Sequence, residues 1–412
     1  MLLFLLIACA PPTVDNCSAP ANQRDDASAM AVETAGAINV LGLGLLGART
    51  DENPFLSPLS IAEALAFVLA GAAGETLSEL QTVLGSSDDA SYHTGMVEIL
   101  QALRGASGDP EAECPTWTFA GDAAAFLDDR LEPTDEWLAI LADPYGVSPQ
   151  TVDFTNPSAA AETISDWASA ATLGRIEDMV GEEQIDPEYT LFMLATALVF
   201  DAKWENPFDE ADTQDLPFTR ADGTSFDTPM MTSMSDVRLL SVEGGLVGEI
   251  PYRGQDVGFV LIVPNDPGGL AALLAGLDLT QVGTDLNDQY ASEVDVRMPP
   301  FELESRASLN APLQTLGLLK AFDPSEADLS ALASPPPNYE ALYIAEVMHD
   351  AWIQVDESGT KAAAVTTVEG DSVDSAEPLP GTLYADRPFL YAIRDRVTGV
   401  WLFAGRMDSP PS

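Results

Sequence analysis

Apolar positions recur at helical spacing early in the chain and at strand-like spacing later. Ala29 to Ala48 predicts a helix that is apolar around nearly its whole circumference. Asn53 to Leu59 reads as a proline-punctuated turn. Ser60 to Leu69 predicts a buried helix, because Ile61, Ala64, Leu65 and Val68 share one face. Thr76 to Leu84 predicts a short helix, and Thr163 to Ala171 another with Trp167 on its apolar side. Leu191 to Lys203 is almost continuously apolar, the pattern of a central strand covered on both faces. Phe259 to Val263 repeats that pattern until Pro264 stops it, and Val294 to Met298 alternates as a strand does. Leu342 to Val355 and Phe389 to Phe403 predict further strands. Helices early and strands late indicate an α+β fold. Lys361 to Asp386 is long, polar and rich in small residues, with no helical pattern. A loop of that length inside a compact domain is usually functional or disordered.

Charge narrows the function. The 412 residues include 17 Lys and Arg against 66 Asp and Glu, a formal net charge of −49. Such a surface repels phosphate backbones, so a nucleic-acid partner is not expected. The same repulsion argues against anionic lipid and against a heparin-type sulfated cofactor. The simplest meaning of the charge is solubility, in a medium salty enough to screen self-repulsion.

The N-terminus, Met1-Leu-Leu-Phe-Leu-Leu-Ile-Ala-Cys9, is apolar but too short to span a bilayer. Residues 1–8 read as the tail of an export signal, and Leu6-Ile7-Ala8-Cys9 has the form of a bacterial lipobox with Cys9 as the lipidated residue. Residues 9–29 read as a flexible tether, and no other segment approaches membrane length. The expected location is therefore exported, on a lipid anchor or outside the cell. Cys17 and Cys114 are the two remaining cysteines, and spacing alone does not say whether they pair.

Catalytic frames are missing. Gly42-Leu-Gly44-Leu-Leu-Gly47 has dinucleotide-binding spacing but lies inside a helical pattern, where that fingerprint has no use. His93 and His349 are the only histidines, and neither sits in a nucleophile or metal-ligand frame. Asp128-Asp129 lacks the spacing of a calcium loop. Neither an enzyme nor a metal or cofactor is expected.

A family resemblance does emerge. Asn53-Pro-Phe-Leu-Ser57-Pro58-Leu-Ser60-Ile61, then Gly71-Ala-Ala-Gly74-Glu75-Thr76, resembles the serpin family. So do, in order, Phe200-Asp-Ala-Lys203-Trp204-Glu205-Asn-Pro207-Phe208, Pro229-Met230-Met231, Glu249-Ile-Pro251-Tyr252, Met298-Pro-Pro-Phe301, Ala321-Phe322-Asp323-Pro324 and Phe403-Ala404-Gly405-Arg406. The resemblance implies one domain over residues 30–412, with three β-sheets, about nine helices and an exposed reactive-centre loop at about 357–386. It implies a monomeric inhibitor that traps a serine endopeptidase when its loop is cleaved and inserted. The alternative within the family is a non-inhibitory binding or carrier module.

The loop carries its own physical pattern. Its hinge is similar to the family's inhibitory hinge at Glu357, Gly359, Thr360, Ala362, Ala363 and Ala364, with Lys361 where relatives usually carry Glu. Gly359 to Asp374 contains no proline, so every backbone N–H is free to join a sheet ladder. Thr360, Ala362, Ala364, Thr366, Val368 and Gly370 form one uncharged face, while Lys361, Glu369 and Asp371 fall on the other. Counting from the hinge puts the reactive bond at Val373–Asp374, and counting back from Pro388 puts it near Glu377. The bond therefore lies within 372–377, with Val373 favoured because Pro378 makes Glu377–Pro378 a poor substrate. A small aliphatic residue at that position suits elastase- or subtilisin-like enzymes. By the same resemblance Ser57, Ser60, Thr196 and His349 form a shutter, with Thr196 replacing the family's usual Asn, and Trp204 marks the breach where the loop enters.

Overall fold

The computed structural model describes Arg24 and residues 26–108, 116–361 and 381–411. Its helices are α1 (Ala29–Ala48), α2 (Pro58–Leu69), α3 (Gly74–Leu84), α4 (Asp89–Ala106), α5 (Asp135–Ile140), α6 (Pro157–Ala171), α7 (Leu270–Gly276), α8 (Leu279–Asp288) and α9 (Asn310–Thr315). The strands in the first half are β1 (Phe55–Leu56), β2 (Trp117–Asp128), β3 (Glu132–Pro133), β4 (Gln150–Val152), β5 (Phe192–Lys203), β6 (Gln214–Thr219), β7 (Ser225–Val242) and β8 (Gly245–Pro251). Those that follow are β9 (Val257–Pro264), β10 (Ser292–Met298), β11 (Phe301–Ser308), β12 (Ala333–Ser334), β13 (Glu346–Asp356), β14 (Gly359–Lys361), β15 (Gly381–Tyr384), β16 (Phe389–Asp395) and β17 (Trp401–Met407).

Two sheets dominate, and one of them divides. The six-stranded sheet runs β11-β13-β14-β5-β2-β4. The nine-stranded sheet runs β1-β17-β16-β9-β8-β7-β10-β15, with β6 on β7. β7 bends that sheet in two: residues 231–237 pair with β10 and residues 238–242 pair with β8. Three principal sheets result, with nine α-helices among the described residues, as the α+β expectation requires. β12 and β3 form only a short ribbon.

α2 lies under the six-stranded sheet, and all twelve of its residues are buried. Its start is sharper than the sequence pattern implied. Ser57 caps it by accepting from the Ser60 N–H at 3.3 Å, and Pro58 takes the first turn, where its missing N–H costs nothing. α1 is long and apolar enough to cross a membrane, contrary to the sequence expectation that nothing beyond the N-terminus approached that length. Half of it is buried within the fold, against α2 and α4, so it serves as a core helix.

Several boundaries differ from expectation. Phe389 to Phe403 is two antiparallel strands, β16 and β17, turned back at Thr398-Gly399, with Gly399 at φ 85°. Both arms are apolar, and that hid the turn. β13 begins at Glu346, because residues 342–345 form no strand. α4 and β7 carry too many polar residues to stand out in the pattern, and β2 is broken up by Gly121, Asp122 and a run of alanines. The stretch assigned to a tether up to Ala29 engages the body before its end: Arg24 pairs with Asp256 at 3.1 Å and also with Asp395, and Ser28 bonds Glu98. The loop expected to run to Asp386 ends sooner, because β15 pairs in parallel with β10 from Gly381. Cys9, Cys17, Cys114, Ala362, Ala363, Ala364, Val373 and Asp374 lie outside the described residues.

Candidate functional site

The site is built on β5 and β13, the two central strands of the six-stranded sheet. Over residues 346–351 and 193–198 they pair directly and in parallel. Above that stretch they part, and β14 lies between them. Thr360 pairs with Val355 on one side and Ala202 on the other, antiparallel to both. The hinge thus occupies the upper end of the gap as a short third strand.

Local chemistry turns the chain into that gap. The Asp356 carboxylate accepts from the N–H of Ser358 at 2.8 Å, from the Ser358 hydroxyl at 2.6 Å and from the Gly359 N–H at 3.2 Å. Glu357 accepts from the Thr213 hydroxyl at 2.6 Å, which fixes the outer side of the turn. Gly359 passes close to β5, where a Cβ would lie 2.1 Å from the Ala202 carbonyl oxygen, so no larger residue fits. Thr360 is fully buried, and its hydroxyl meets that of Tyr252 at 2.5 Å.

Trp204 closes the site from beneath. It is fully buried and stacks on Tyr252 with ring centroids 4.6 Å apart and planes 5° from parallel. Phe208 and Phe259 meet it edge-on. Its indole N–H donates to the Asp356 carbonyl at 2.9 Å, and its backbone N–H donates to the Ser358 carbonyl at 3.1 Å. One aromatic residue therefore holds both sides of the hinge turn. The sequence marks Tyr252 only within the run Glu249-Ile-Pro251-Tyr252, without a role at this site.

Lower in the sheet, His349 joins the strands that pair directly. Its Nε2 accepts from the Ser57 N–H at 3.1 Å, so Nδ1 carries the proton and donates to the Thr196 hydroxyl at 2.8 Å. The Thr196 hydroxyl in turn faces the Met348 carbonyl at 3.5 Å. Thr196 thus reaches the ring across the β5–β13 pairing. Ser60 does not touch the imidazole; its hydroxyl donates to the Ser57 carbonyl at 3.4 Å. Burial, aided by the Arg49 charge, pushes His349 down to about 3, so the ring is neutral at physiological pH. His93 lies elsewhere, bonded to the Tyr145 hydroxyl at 2.6 Å.

The sequence and the overall fold that carry this arrangement match one family. The family profile described as Serpin (serine protease inhibitor) matches residues 43–410. The chain is a serpin. Serpin-Z1C of Triticum aestivum is 31% identical over 366 residues, covering 87% of this chain and 90% of that protein. Antithrombin-III of Mus musculus is 30% identical over 371 residues, covering 87% and 77% of the two chains. The native-state crystal structure of the thermophilic serpin Tengpin superposes with a TM-score of 0.80 at 25% identity, covering 96% of this serpin and 98% of that chain. Serpins in general inhibit serine proteases rather than act as enzymes.

Among the described residues one acidic group stands close enough together to suggest a metal. Asp128, Asp129 and Asp153 bring carboxylate oxygens within 4.8 Å of one another. Both Asp128 oxygens are already engaged, one by Arg130 and the other by the Phe154 N–H at 3.1 Å. A solvated acidic face accounts for the rest.

Proposed function

We propose that this serpin inhibits an elastase- or subtilisin-like serine protease through cleavage at Val373–Asp374 and insertion of Gly359 to Asp371 as a new sheet strand. The observation that carries this reading is β14, which lies antiparallel between β13 and β5. Extending it in the same register would replace the direct β13–β5 pairing with two antiparallel ladders. Antiparallel ladders are somewhat more stable per residue, and the insertion adds a strand without exposing another. The segment has no proline, and its inward-facing positions, beginning with buried Thr360, carry no charge. The starting state is then held above a more stable one by kinetics. The protease, attached as an acyl-enzyme, travels with the inserting strand and is distorted before hydrolysis.

The test is incubation with enzymes of both classes. A covalent complex that survives SDS supports the proposal. Simple loop cleavage by every enzyme tried, with no complex, overturns trapping. Cleavage without a sharp rise in thermal midpoint would favour the non-inhibitory carrier reading. We also propose export and lipidation at Cys9, which intact mass before and after Cys9→Ser checks. The protein acts as a monomer without heparin-type help.

A further inference from the structure

Beneath the same sheet a charged cluster that loop insertion does not explain runs from a buried Glu63 out to Arg104 and Asp122, whose side chains are 35% and 37% exposed. A helix as buried as α2 gains nothing from an acidic residue, yet Glu63 sits at its centre, 2% exposed. Its Oε1 accepts from Arg104 Nη2 of α4 at 3.2 Å. The same nitrogen donates to Asp122 Oδ1 of β2 at 2.8 Å. Two carboxyl groups on different elements therefore share one guanidinium. Arg104 also reaches the Tyr145 carbonyl at 3.5 Å, at the end of the π-turn Leu141–Tyr145. Besides Arg104 and Asp122, the neighbouring titratable groups are the buried Tyr92 of α4, and Tyr145 with its partner His93. α1, α3, β5 and β17 also pack on α2, but the charges acting most strongly on Glu63 are those of Asp122 and Arg104.

The cluster crosses a plane that insertion must move. Admitting a strand between β13 and β5 requires the β5–β2–β4 half of the sheet to shift over the helices beneath it. Asp122 rides on that half, whereas Glu63 and Arg104 belong to the helices below. We propose that Glu63, Arg104 and Asp122 form a proton-controlled latch on sheet opening. With a proton on Glu63 the cluster is neutral and holds β2 to α2 and α4. Without it, two carboxylates compete for one guanidinium, and opening relieves them by moving Asp122 away.

Burial and the Asp122 carboxylate together push Glu63 up to about 8. Moving Asp122 away removes that carboxylate's share of the shift while burial on α2 remains, so the closed sheet binds more protons than the open one over a window just below that point. Opening releases a proton to solvent, so rising pH favours it throughout that window and has no further effect above it.

The latch rests on the insertion mechanism proposed above, and the test separates the two. A synthetic peptide with the sequence of residues 359–371 is annealed into the full-length protein from pH 5.5 to 9. Its uptake is followed by native gel and thermal midpoint. The wild-type rate should rise by up to about tenfold per pH unit and level off near 8. Glu63→Gln should anneal slowly with a flat profile, and Asp122→Asn, which removes both the competing charge and the charged tie to β2, should also lose the pH dependence. Wild-type behaviour in both variants, or a flat wild-type profile, overturns the latch. Absence of uptake by all three proteins at every pH overturns the insertion mechanism itself, and the latch with it. If the variants fail to fold, a pH indicator on the wild type decides: protons released on annealing just below pH 8 support the latch, and none overturns it.

Discussion

The upper end and the middle of the six-stranded sheet are held by different chemistry. Above, the strands are parted, and the gap is filled by the hinge, one buried hydroxyl pair and a stack of aromatic rings around Trp204. Lower down, the strands pair directly, and a neutral imidazole binds them to each other and to α2. The aromatic end resists through contact area, which is non-directional and survives small displacements. The imidazole joint resists through directed bonds, and an outward step of β5 would break the one between His349 and Thr196 outright. A strand inserting from above would therefore meet a tolerant entrance first and an abrupt obstacle next.

The severest way to break this contrast is to put a charge in the entrance. Thr360→Arg would place a guanidinium where a fully buried hydroxyl now meets Tyr252. An unpaired buried charge is too costly to keep, so the hinge should leave the gap and insertion should fail. The yield of SDS-stable complex should fall by at least about tenfold, equivalent to about 1.4 kcal/mol or more on the partition between trapping and release. Cleavage of the loop should continue unimpaired, as gel electrophoresis would show. Unchanged complex yield would mean that Thr360 need not remain inside during trapping.

Removing the stack comes next. Trp204→Ala deletes a fully buried indole and both of its contacts to the hinge turn, and should cost about 3–5 kcal/mol by urea unfolding. A smaller loss would mean that Tyr252, Phe208 and Phe259 close over the space.

Much of this architecture was legible in the sequence, and the reasons differ by element. Leu191 to Lys203 announced β5 because a strand covered on both faces has few polar positions to blur it. Trp204, Ser57 and His349 were legible through the family pattern, and the structure brings Ser57, Thr196 and His349 within bonding distance. Ser60 was grouped with them, but its hydroxyl turns to its own helix start. The register of β14 was beyond reach, because it depends on where β5 and β13 part, and no local periodicity encodes that. Glu63 was missed for a related reason. Nothing in the pattern of a helix read as buried marks it, and its partners lie on α4 and β2, far away in sequence.

The imidazole joint should fail by a smaller amount. Thr196→Val keeps the shape but leaves His349 Nδ1–H without an acceptor, and should cost about 1–3 kcal/mol. The pH dependence sharpens the point. A histidine held down to about 3 when folded and titrating near its ordinary value when unfolded favours the folded state only while neutral. The unfolded chain binds the extra proton first, so stability falls as pH drops from about 6.5 towards 3. His349→Gln should flatten that acid limb in urea titrations, while a limb of unchanged slope would assign it to other groups.

The smallest change separates the two regions most cleanly. Tyr252→Phe keeps the ring stacked on Trp204 and removes only the hydroxyl that meets Thr360. Its cost should be about 0.5–1.5 kcal/mol, the usual net worth of one hydrogen bond. The loss should be local, because the remaining ladder bonds of β14 involve backbone groups alone. Amide exchange at Gly359–Lys361 should therefore quicken several-fold, while exchange at Met348–Ala351, beside the imidazole, stays unchanged. Equal quickening at both places would show that entrance and joint open as one unit. Quickening confined to the hinge would show that they open in sequence, entrance first.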